Sequence, residues 1–218
     1  MQTMGVRGRT ALALAMVLAV GVGVSGCSGA DGRVVSDIAD QGAPAPAATG
    51  SAAPHTGNRD IDRQLAYAFK HWDDTSSKKY GNLGGSDCVN FTSQTLLARG
   101  WKMDADWWYS NTDGSMNYGS PWISSTAMMK YLQGRPDLAT ALTDKQRSKV
   151  RVGDIAQFDY DNSGDRDHTG VVSKVVKDGS SIKIYLVQHS KGDDYRSVDG
   201  MLDSHEAGAK VYYWHLST

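Results

Sequence analysis

The sequence has no long run of basic residues and no apolar stretch long enough to span a bilayer. Its formal net charge is −1, so neither a nucleic-acid partner nor electrostatic binding to a membrane is expected. The apolar residues 11–24 have the length of a signal-peptide core and are too few for a membrane-spanning helix. With no internal repeat either, the composition indicates one ordinary globular domain with additional segments.

The beginning of the chain has the pattern of an export signal. Arg7 and Arg9 precede the apolar stretch, which ends at Val24-Ser25-Gly26-Cys27. This ending resembles a bacterial lipobox, in which the chain is cut before the cysteine and the thiol is then diacylated. We therefore expect a lipoprotein signal peptide at residues 1–26 and a lipidated Cys27, so that the protein is extracytoplasmic and contacts the membrane only through its lipid. If the lipobox is not used, the protein is secreted.

The segment after Cys27 is poor in residues that build a core. Gly, Ala, Pro, Ser and Asp dominate residues 28–57, and such a segment cannot bury enough apolar area to offset the entropy lost on ordering. We expect residues 27–57 to be the lipidated cysteine with a flexible tether, and residues 58–218 to be the folded domain.

A single cysteine is left for the folded domain. With Cys27 assigned to the anchor, Cys88 has no partner for an intramolecular disulfide. An unpaired thiol in an oxidising compartment is a liability unless it takes part in chemistry. We therefore expect Cys88 to be a catalytic nucleophile.

The first half of the domain has helical periodicity. A first helix is predicted from about Asn58 to just before Gly81, and a short third helix is predicted near residues 125–132. The second helix is predicted to start at Ser86 or Asp87 and to run to residue 99, which places Cys88 in its first turn. There the helix dipole and the free N–H groups would lower the pKa of the thiol and stabilise an oxyanion.

The second half has the two-residue period of β-strands. Strands are predicted at residues 155–158, 168–176, 181–189 and 210–216, with Asp178-Gly179 as a tight turn, whereas residues 137–149 are weakly helical. Helices followed by antiparallel strands predict an α+β fold.

A catalytic cysteine needs an imidazole nearby. Two histidines lie at the ends of the predicted hairpin strands and are candidates. If Asp178 and Gly179 form a two-residue loop, Lys177 lies opposite Ser180 and His168 lies opposite His189. A four-residue loop would also keep both histidines on one face, whereas a three-residue loop would put Gln188 there. One side chain could then act as the base while the other orients it.

Three blocks of sequence are similar to the putative amidase domain family of bacteria, which is related to the NlpC-type and CHAP hydrolases among the papain-like cysteine peptidases. The resemblance covers about residues 59–217, and its blocks are Asp87-Cys88-Val89-Asn90-Phe91 followed by Ser93-Gln94, Gly153-Asp154-Ile155-Ala156-Gln157-Phe158, and Asp167-His168-Thr169-Gly170-Val171-Val172.

The resemblance implies a papain-like α+β fold with N-terminal helices packed on an antiparallel sheet. Cys88 would be the nucleophile, and His168 the general base and later the general acid. The third catalytic position falls at His189, with Gln188 as the alternative. Asn82 stands where papain-like enzymes carry an oxyanion side chain, and Asp87 and Trp108 are further candidates for the substrate and oxyanion region.

Oxygen-bearing side chains alternate in the segment before His168. Asp159, Asp161, Ser163 and Asp165 resemble the start of an EF-hand calcium loop, although Gly170 stands where its twelfth, acidic residue is expected. The segment is either a solvated acidic turn or a structural calcium site that braces the strand of His168. Catalysis itself is expected to need no cofactor.

Trp107, Trp108 and Trp122 could line a groove for a glycan or peptide, or belong to the core. Together the patterns predict a monomeric, surface-anchored cysteine hydrolase of amide bonds, with cell-wall peptidoglycan peptides as its substrate. The alternative is a papain-like binding lipoprotein of the cell envelope that has lost activity.

Overall fold

The computed structural model describes residues 51–74, 79–189, 193–205 and 207–218. The predicted signal peptide, Cys27 and most of the predicted tether lie outside these residues. The chain divides into residues 1–45 and residues 46–218, and every described residue belongs to the second unit. Within the described ranges, no helix combines the length and the apolar character needed to cross a bilayer.

Five α-helices occur in the described part of the chain: α1 (Arg59–His71), α2 (Asp87–Arg99), α3 (Ser120–Ile123), α4 (Ser125–Gln133) and α5 (Val198–Asp203). The side chain of Asn58 caps α1 by accepting hydrogen bonds from the backbone N–H groups of Asp60 and Ile61. Helix α2 has the predicted bounds. The first helix ends earlier than predicted, because the Asp74 N–H bonds to the His71 carbonyl and closes a turn there.

The described strands form two antiparallel sheets. A two-stranded sheet contains β1 (Tyr109–Thr112) and β2 (Ser115–Tyr118). The main sheet has the order β3-β8-β4-β5-β6-β7, with strands β3 (Ala139–Thr143), β4 (Ile155–Asp159), β5 (His168–Asp178), β6 (Ser181–Gln188), β7 (Asp193–Ser197) and β8 (Lys210–Leu216). The α+β class with an antiparallel sheet is therefore confirmed.

Several elements differ from the sequence-based expectation. The β1–β2 hairpin lies in a region without clean periodicity, and Asp113 and Gly114 adopt positive φ at its turn. Strand β3 lies in the stretch that was expected to be weakly helical; it pairs along its whole length with β8. Tertiary pairing thus overrides a weak local propensity.

The register of the β5–β6 hairpin also differs. Lys177 lies opposite Ile182 instead of Ser180, and the two residues between the last pair are Gly179 and Ser180. A β-bulge between Val172 and Lys174 then shifts the pairing by one residue. Because each one-residue shift moves side chains to the other face of a sheet, His168 and His189 do not face each other as predicted.

The two faces of the main sheet are covered by different helices. On one face, Leu65 of α1 and Phe91 of α2 pack with Val171 and Val187 of the hairpin. On the other face, α5 packs with side chains that include Phe158, Val172 and Leu186. The sheet is therefore buried on both sides at the end of the hairpin where β5 begins and β6 ends.

Candidate active site

Cys88 is a buried, free thiol in the first turn of α2. Its sulfur lies 4.0 Å from the Oγ of Ser125, the first residue of α4. The backbone N–H groups of Thr169 and Val89 lie close enough to the sulfur to favour its thiolate form. Helix α2, helix α4 and strand β5 therefore meet at this one atom.

Burial nevertheless raises the pKa of the Cys88 thiol above its ordinary value, and the negative charge of Asp87 adds to the effect. The hydrogen bonds from Thr169, Ser125 and Val89 oppose this shift only in part. The sequence predicted the opposite direction, from the helix dipole. Removal of the thiol from water outweighs the dipole here, because the side chain is only 2% exposed.

His168 is paired with Gln188. The Nε2 atom of His168 lies 2.8 Å from the Oε1 atom of Gln188, and both side chains are buried. An amide oxygen can only accept, so Nε2 carries a proton and Nδ1 keeps its lone pair. Burial lowers the pKa of the His168 imidazole, and the hydrogen bond to Gln188 offsets this only partly. The arrangement therefore holds a neutral imidazole with Nδ1 as its basic atom.

Cys88 approaches β5 at Thr169, the residue that directly follows His168 in the chain. His168 lies opposite Phe158, on the face that α5 covers, whereas Val171 packs against α2 on the other face. The His168 side chain therefore lies on the other face of the sheet from the residues that pack against α2. Across the described residues, the sulfur makes no direct hydrogen bond to His168.

His189 has different partners from the ones that the sequence predicted. Its Nδ1 lies 2.5 Å from a carboxylate oxygen of Asp87, and its Nε2 lies 2.7 Å from the backbone carbonyl of His71. The ring also stacks on Phe91 at 4.1 Å. Both partners offer acceptor oxygens, so each ring nitrogen lies where it can donate a hydrogen bond. His189 does not contact His168, and the side chain beside His168 is Gln188.

The Asp87 carboxylate is fixed from both sides. It accepts hydrogen bonds from the Leu83 N–H at 3.1 Å and from the Asn90 amide at 3.0 Å, in addition to the bond from His189. Burial alone would raise the pKa of this carboxyl, but the three hydrogen bonds outweigh it and the pKa is lowered. Asp87 is therefore an anion that joins the start of α2 to the end of β6.

The side chain of Asn90 holds the glycine-rich segment before Cys88 in place. Its amide nitrogen bonds the carbonyls of Tyr80 and Gly81, and its oxygen accepts from the Trp122 indole. Three residues of the block from Asp87 to Phe91 thus have a visible structural role: Asp87 bonds His189, Asn90 positions the loop, and Phe91 stacks on His189.

The remaining candidates form no recorded hydrogen bond with Cys88 or His168 within the described residues. Asn82 is exposed, and its side-chain oxygen accepts from the Gly84 N–H at 2.8 Å. Trp107 and Trp122 are fully buried, so they belong to the core and do not line a groove. Trp108 is half-buried in a groove of about 520 Å³ whose lining includes neither Cys88 nor His168.

The acidic residues before His168 cluster in space. One ligand atom from each of Asp159, Asp161, Asp165 and Asp167 lies within 4.8 Å of the others. Ser163 hydrogen-bonds to Asp165 at 2.6 Å, and Asp167, which directly precedes His168, joins the four predicted residues.

Sequence reasoning missed Ser125 and Thr169 as parts of the site. The Thr169 hydroxyl donates to Ser125 Oγ at 2.8 Å, and the amide of Gln157 bonds both the Ser125 carbonyl and the Thr169 hydroxyl. Ser125 is 37 residues from Cys88 in sequence, and its only local signal was its place at the start of a short helix.

Comparisons with known proteins support a family assignment. The chain is similar to "Uncharacterized protein YhbB" of Bacillus subtilis (strain 168), with 27% identity over 130 residues. The aligned region covers 57% of this chain and 39% of that protein, so the chain spans well under half of its relative. No solved structure matches the chain significantly. The model of the family described as "Putative amidase domain" matches residues 58–214, which contain every residue of the site described above. The chain belongs to this family.

Proposed function

We propose that the protein is a cysteine hydrolase that cleaves amide bonds, with Cys88 as nucleophile, His168 as base and Gln188 as the group that orients His168. The observation that carries the proposal is a buried, free thiol close to the backbone of Thr169, while the preceding residue, His168, has its Nε2 atom paired with Gln188. The family description points to the same type of reaction.

The reaction begins from two neutral groups. Burial disfavours charge on both the thiol and the imidazole, so we expect proton transfer to accompany attack instead of preceding it as a stable ion pair. Nδ1 of His168 takes the thiol proton while the sulfur bonds to the amide carbon, and the carbonyl electron pair moves onto oxygen. The N–H groups at the start of α2 are suited to stabilise this oxyanion.

The second half of the reaction restores the enzyme. The carbon–nitrogen bond breaks, the amine leaves with the proton from His168, and a thioester remains on Cys88. Water then attacks the thioester carbon and gives a proton to Nδ1. The carbon–sulfur bond breaks, the sulfur takes the proton back, and a carboxylic acid is released.

The fold and the location are part of the same proposal. A nucleophile on a helix N-terminus beside a strand-borne histidine with an amide partner is the arrangement of papain-like enzymes. The lipobox at Val24-Ser25-Gly26-Cys27 would hold the domain outside the cytoplasm, where peptidoglycan is accessible. Peptide bonds of peptidoglycan are therefore the substrate that we propose.

The test is digestion of purified peptidoglycan by the full chain, followed by mass spectrometry of soluble fragments and counting of new amino groups. We expect Cys88→Ala and Cys88→Ser to lose activity by about 10³-fold or more. Cys27→Ser is the matched control, because it removes the other cysteine and should retain activity in detergent. Amide cleavage at the wild-type rate by either Cys88 variant would overturn the mechanism.

The burial of Cys88 also favours a second candidate, a binding protein of the cell envelope with an inert thiol. The two candidates differ in thiol reactivity. A catalytic Cys88 should be alkylated by iodoacetamide in the folded protein, and the rate should fall when His168 is replaced. An inert cysteine should be alkylated only after unfolding.

A further inference from the structure

The loop between β4 and β5 contains more negatively charged carboxylates than positively charged groups to balance them. This acidic loop, residues 159–167, brings the carboxylates of Asp159, Asp161, Asp165 and Asp167 within 4.8 Å of one another. Among the described residues, Arg166 forms an ion pair with it, and a guanidinium nitrogen of Arg166 lies 3.7 Å from Asp159. Four carboxylates against one guanidinium leave a strong local field that would attract a cation.

Asp159 gives an independent reason to expect a ligand. Its side chain is 1% exposed, and its Oδ1 atom has no hydrogen-bond partner among the described residues. Its other oxygen accepts from the Gly164 N–H at 3.0 Å. A buried carboxylate oxygen without a partner is costly, and the carboxylate group lies next to the three exposed ones of the acidic loop.

The donor chemistry selects the ion. The cluster contains carboxylates and no thiol or imidazole, which excludes the soft-metal preference of zinc or copper sites. Calcium binds six to eight oxygens at about 2.3–2.6 Å, so ligands on opposite sides of the ion lie about 4.6–5.2 Å apart. The spacing in the acidic loop is compatible with such a sphere. Magnesium prefers shorter distances and keeps several waters.

In addition to its 3.7 Å approach to Asp159, Arg166 is held by contacts outside the carboxylate cluster. Its guanidinium stacks over the Tyr212 ring at 3.7 Å and donates to the carbonyls of Gly164 and Asp165. It therefore braces the backbone of the acidic loop from one side. Asn162 and Gly164 have positive φ, which turns the chain tightly enough to bring the alternating carboxylates together.

We propose that the acidic loop binds one calcium ion through Asp159, Asp161, Asp165 and Asp167, and that the ion orders the start of β5. The loop begins at the last residue of β4, and Asp167 is followed directly by His168. Asp167 already accepts from the Tyr160 N–H at 2.6 Å and donates its own N–H to Phe158. Calcium would therefore fix the backbone that presents His168, while taking no part in the reaction.

Calorimetric titration of the chelator-treated full chain with calcium chloride tests the proposal. We expect one saturable site, with a dissociation constant at or below about 10⁻³ M, and a rise in the thermal midpoint on saturation. Magnesium chloride should bind at least about tenfold more weakly. Absence of saturable heat up to about 5 mM calcium, or equal binding of magnesium, would overturn the proposal.

Variants locate the site. Asp161 and Asp165 are exposed, so Asp161→Asn and Asp165→Asn should fold without the ion and lose calcium affinity by at least about tenfold each. Asp178→Asn, at the exposed far end of β5, is the matched control and should bind as wild type. Undiminished binding by the first two variants would place any calcium elsewhere. Cys88→Ala should bind calcium normally, so this test stands apart from the proposed hydrolysis.

Discussion

His168 and His189 lie at the ends of neighbouring strands, and they differ in what their ring nitrogens contact. His168 bonds through Nε2 to an amide oxygen and keeps Nδ1 free of any recorded partner among the described residues. His189 uses both nitrogens, one on the Asp87 carboxylate and one on the His71 carbonyl. An imidazole with a free nitrogen can accept and release a proton, whereas an imidazole that is hydrogen-bonded at both nitrogens has a structural role. Hydrogen-bond partners, more than position, separate the two roles.

The largest difference should appear in activity when His168 is replaced. We expect His168→Ala to lower amide cleavage by about 10²–10⁴-fold, because it removes the imidazole that is to accept the thiol proton. The alkylation rate of Cys88 by iodoacetamide at pH 7 should fall in parallel, which gives a readout that needs no substrate. Far-ultraviolet circular dichroism checks that the variant is folded. A variant with activity within about fivefold of wild type would remove His168 from the mechanism.

His189 should show the reverse pattern. His189→Leu keeps the apolar contact with Phe91 but leaves the buried Asp87 carboxylate without its partner at His189 Nδ1. Loss of one partner of a buried pair costs about 3–5 kcal/mol of unfolding free energy. Urea denaturation measures this loss, and His189→Gln should recover part of it because its amide can still donate one hydrogen bond.

The exposed His55 is the matched control for this experiment. It lies 2.7 Å from Asp62 with 83% of its side chain exposed, so His55→Ala should change stability by less than about 0.5 kcal/mol. Equal effects of the His189 and His55 variants would contradict the structural role assigned to His189.

The parts of the site that sequence could predict are the local ones. Helix α2 is predictable because Asp87 favours its start and Gly100 its end, and both signals are adjacent to the helix. The hydrogen-bond partner of His168 cannot be predicted in this way, because it depends on the bulge near Ser173 and on the turn at Gly179-Ser180. The hairpin predicted at Asp178-Gly179 does form, but its turn lies one residue later. A second Asp-Gly pair, Asp113-Gly114, forms a hairpin turn that was not predicted.

The contact between Asp87 and His189 could not be predicted from a local sequence pattern either. The two residues are 102 positions apart in the chain, and their contact arises only when α2 packs against the end of β6. Sequence placed both residues at the site, one as a helix cap and one as an orienting group. What it could not supply was the one-residue offset that decides which strand residue faces which neighbour.

Replacing Gln188 tests whether the hydrogen bond to His168 Nε2 matters for the role assigned to that histidine. Gln188→Ala should lower amide cleavage by about 10–100-fold, less than the loss of His168, because the base remains but its ring is no longer oriented. Gln188→Asn has a shorter side chain and should recover little. If Gln188 only filled space, Gln188→Leu would restore activity, and a fully active Leu variant would contradict the orienting role.

The smallest effect concerns acid stability, and it isolates Asp87. Because the folded-state pKa of Asp87 is lowered from its ordinary value of 3.8, its contribution to stability is present above that value and is lost as the pH falls through the folded pKa. Other carboxylates titrate in the same range, so the informative quantity is the difference between wild type and Asp87→Asn. Thermal midpoints measured from pH 7 down to about pH 3 should begin to approach each other as the pH falls below about 4. A difference that stayed constant across this range would mean that the charge of Asp87 contributes nothing, and that only its hydrogen bonds hold α2 to the strand of His189.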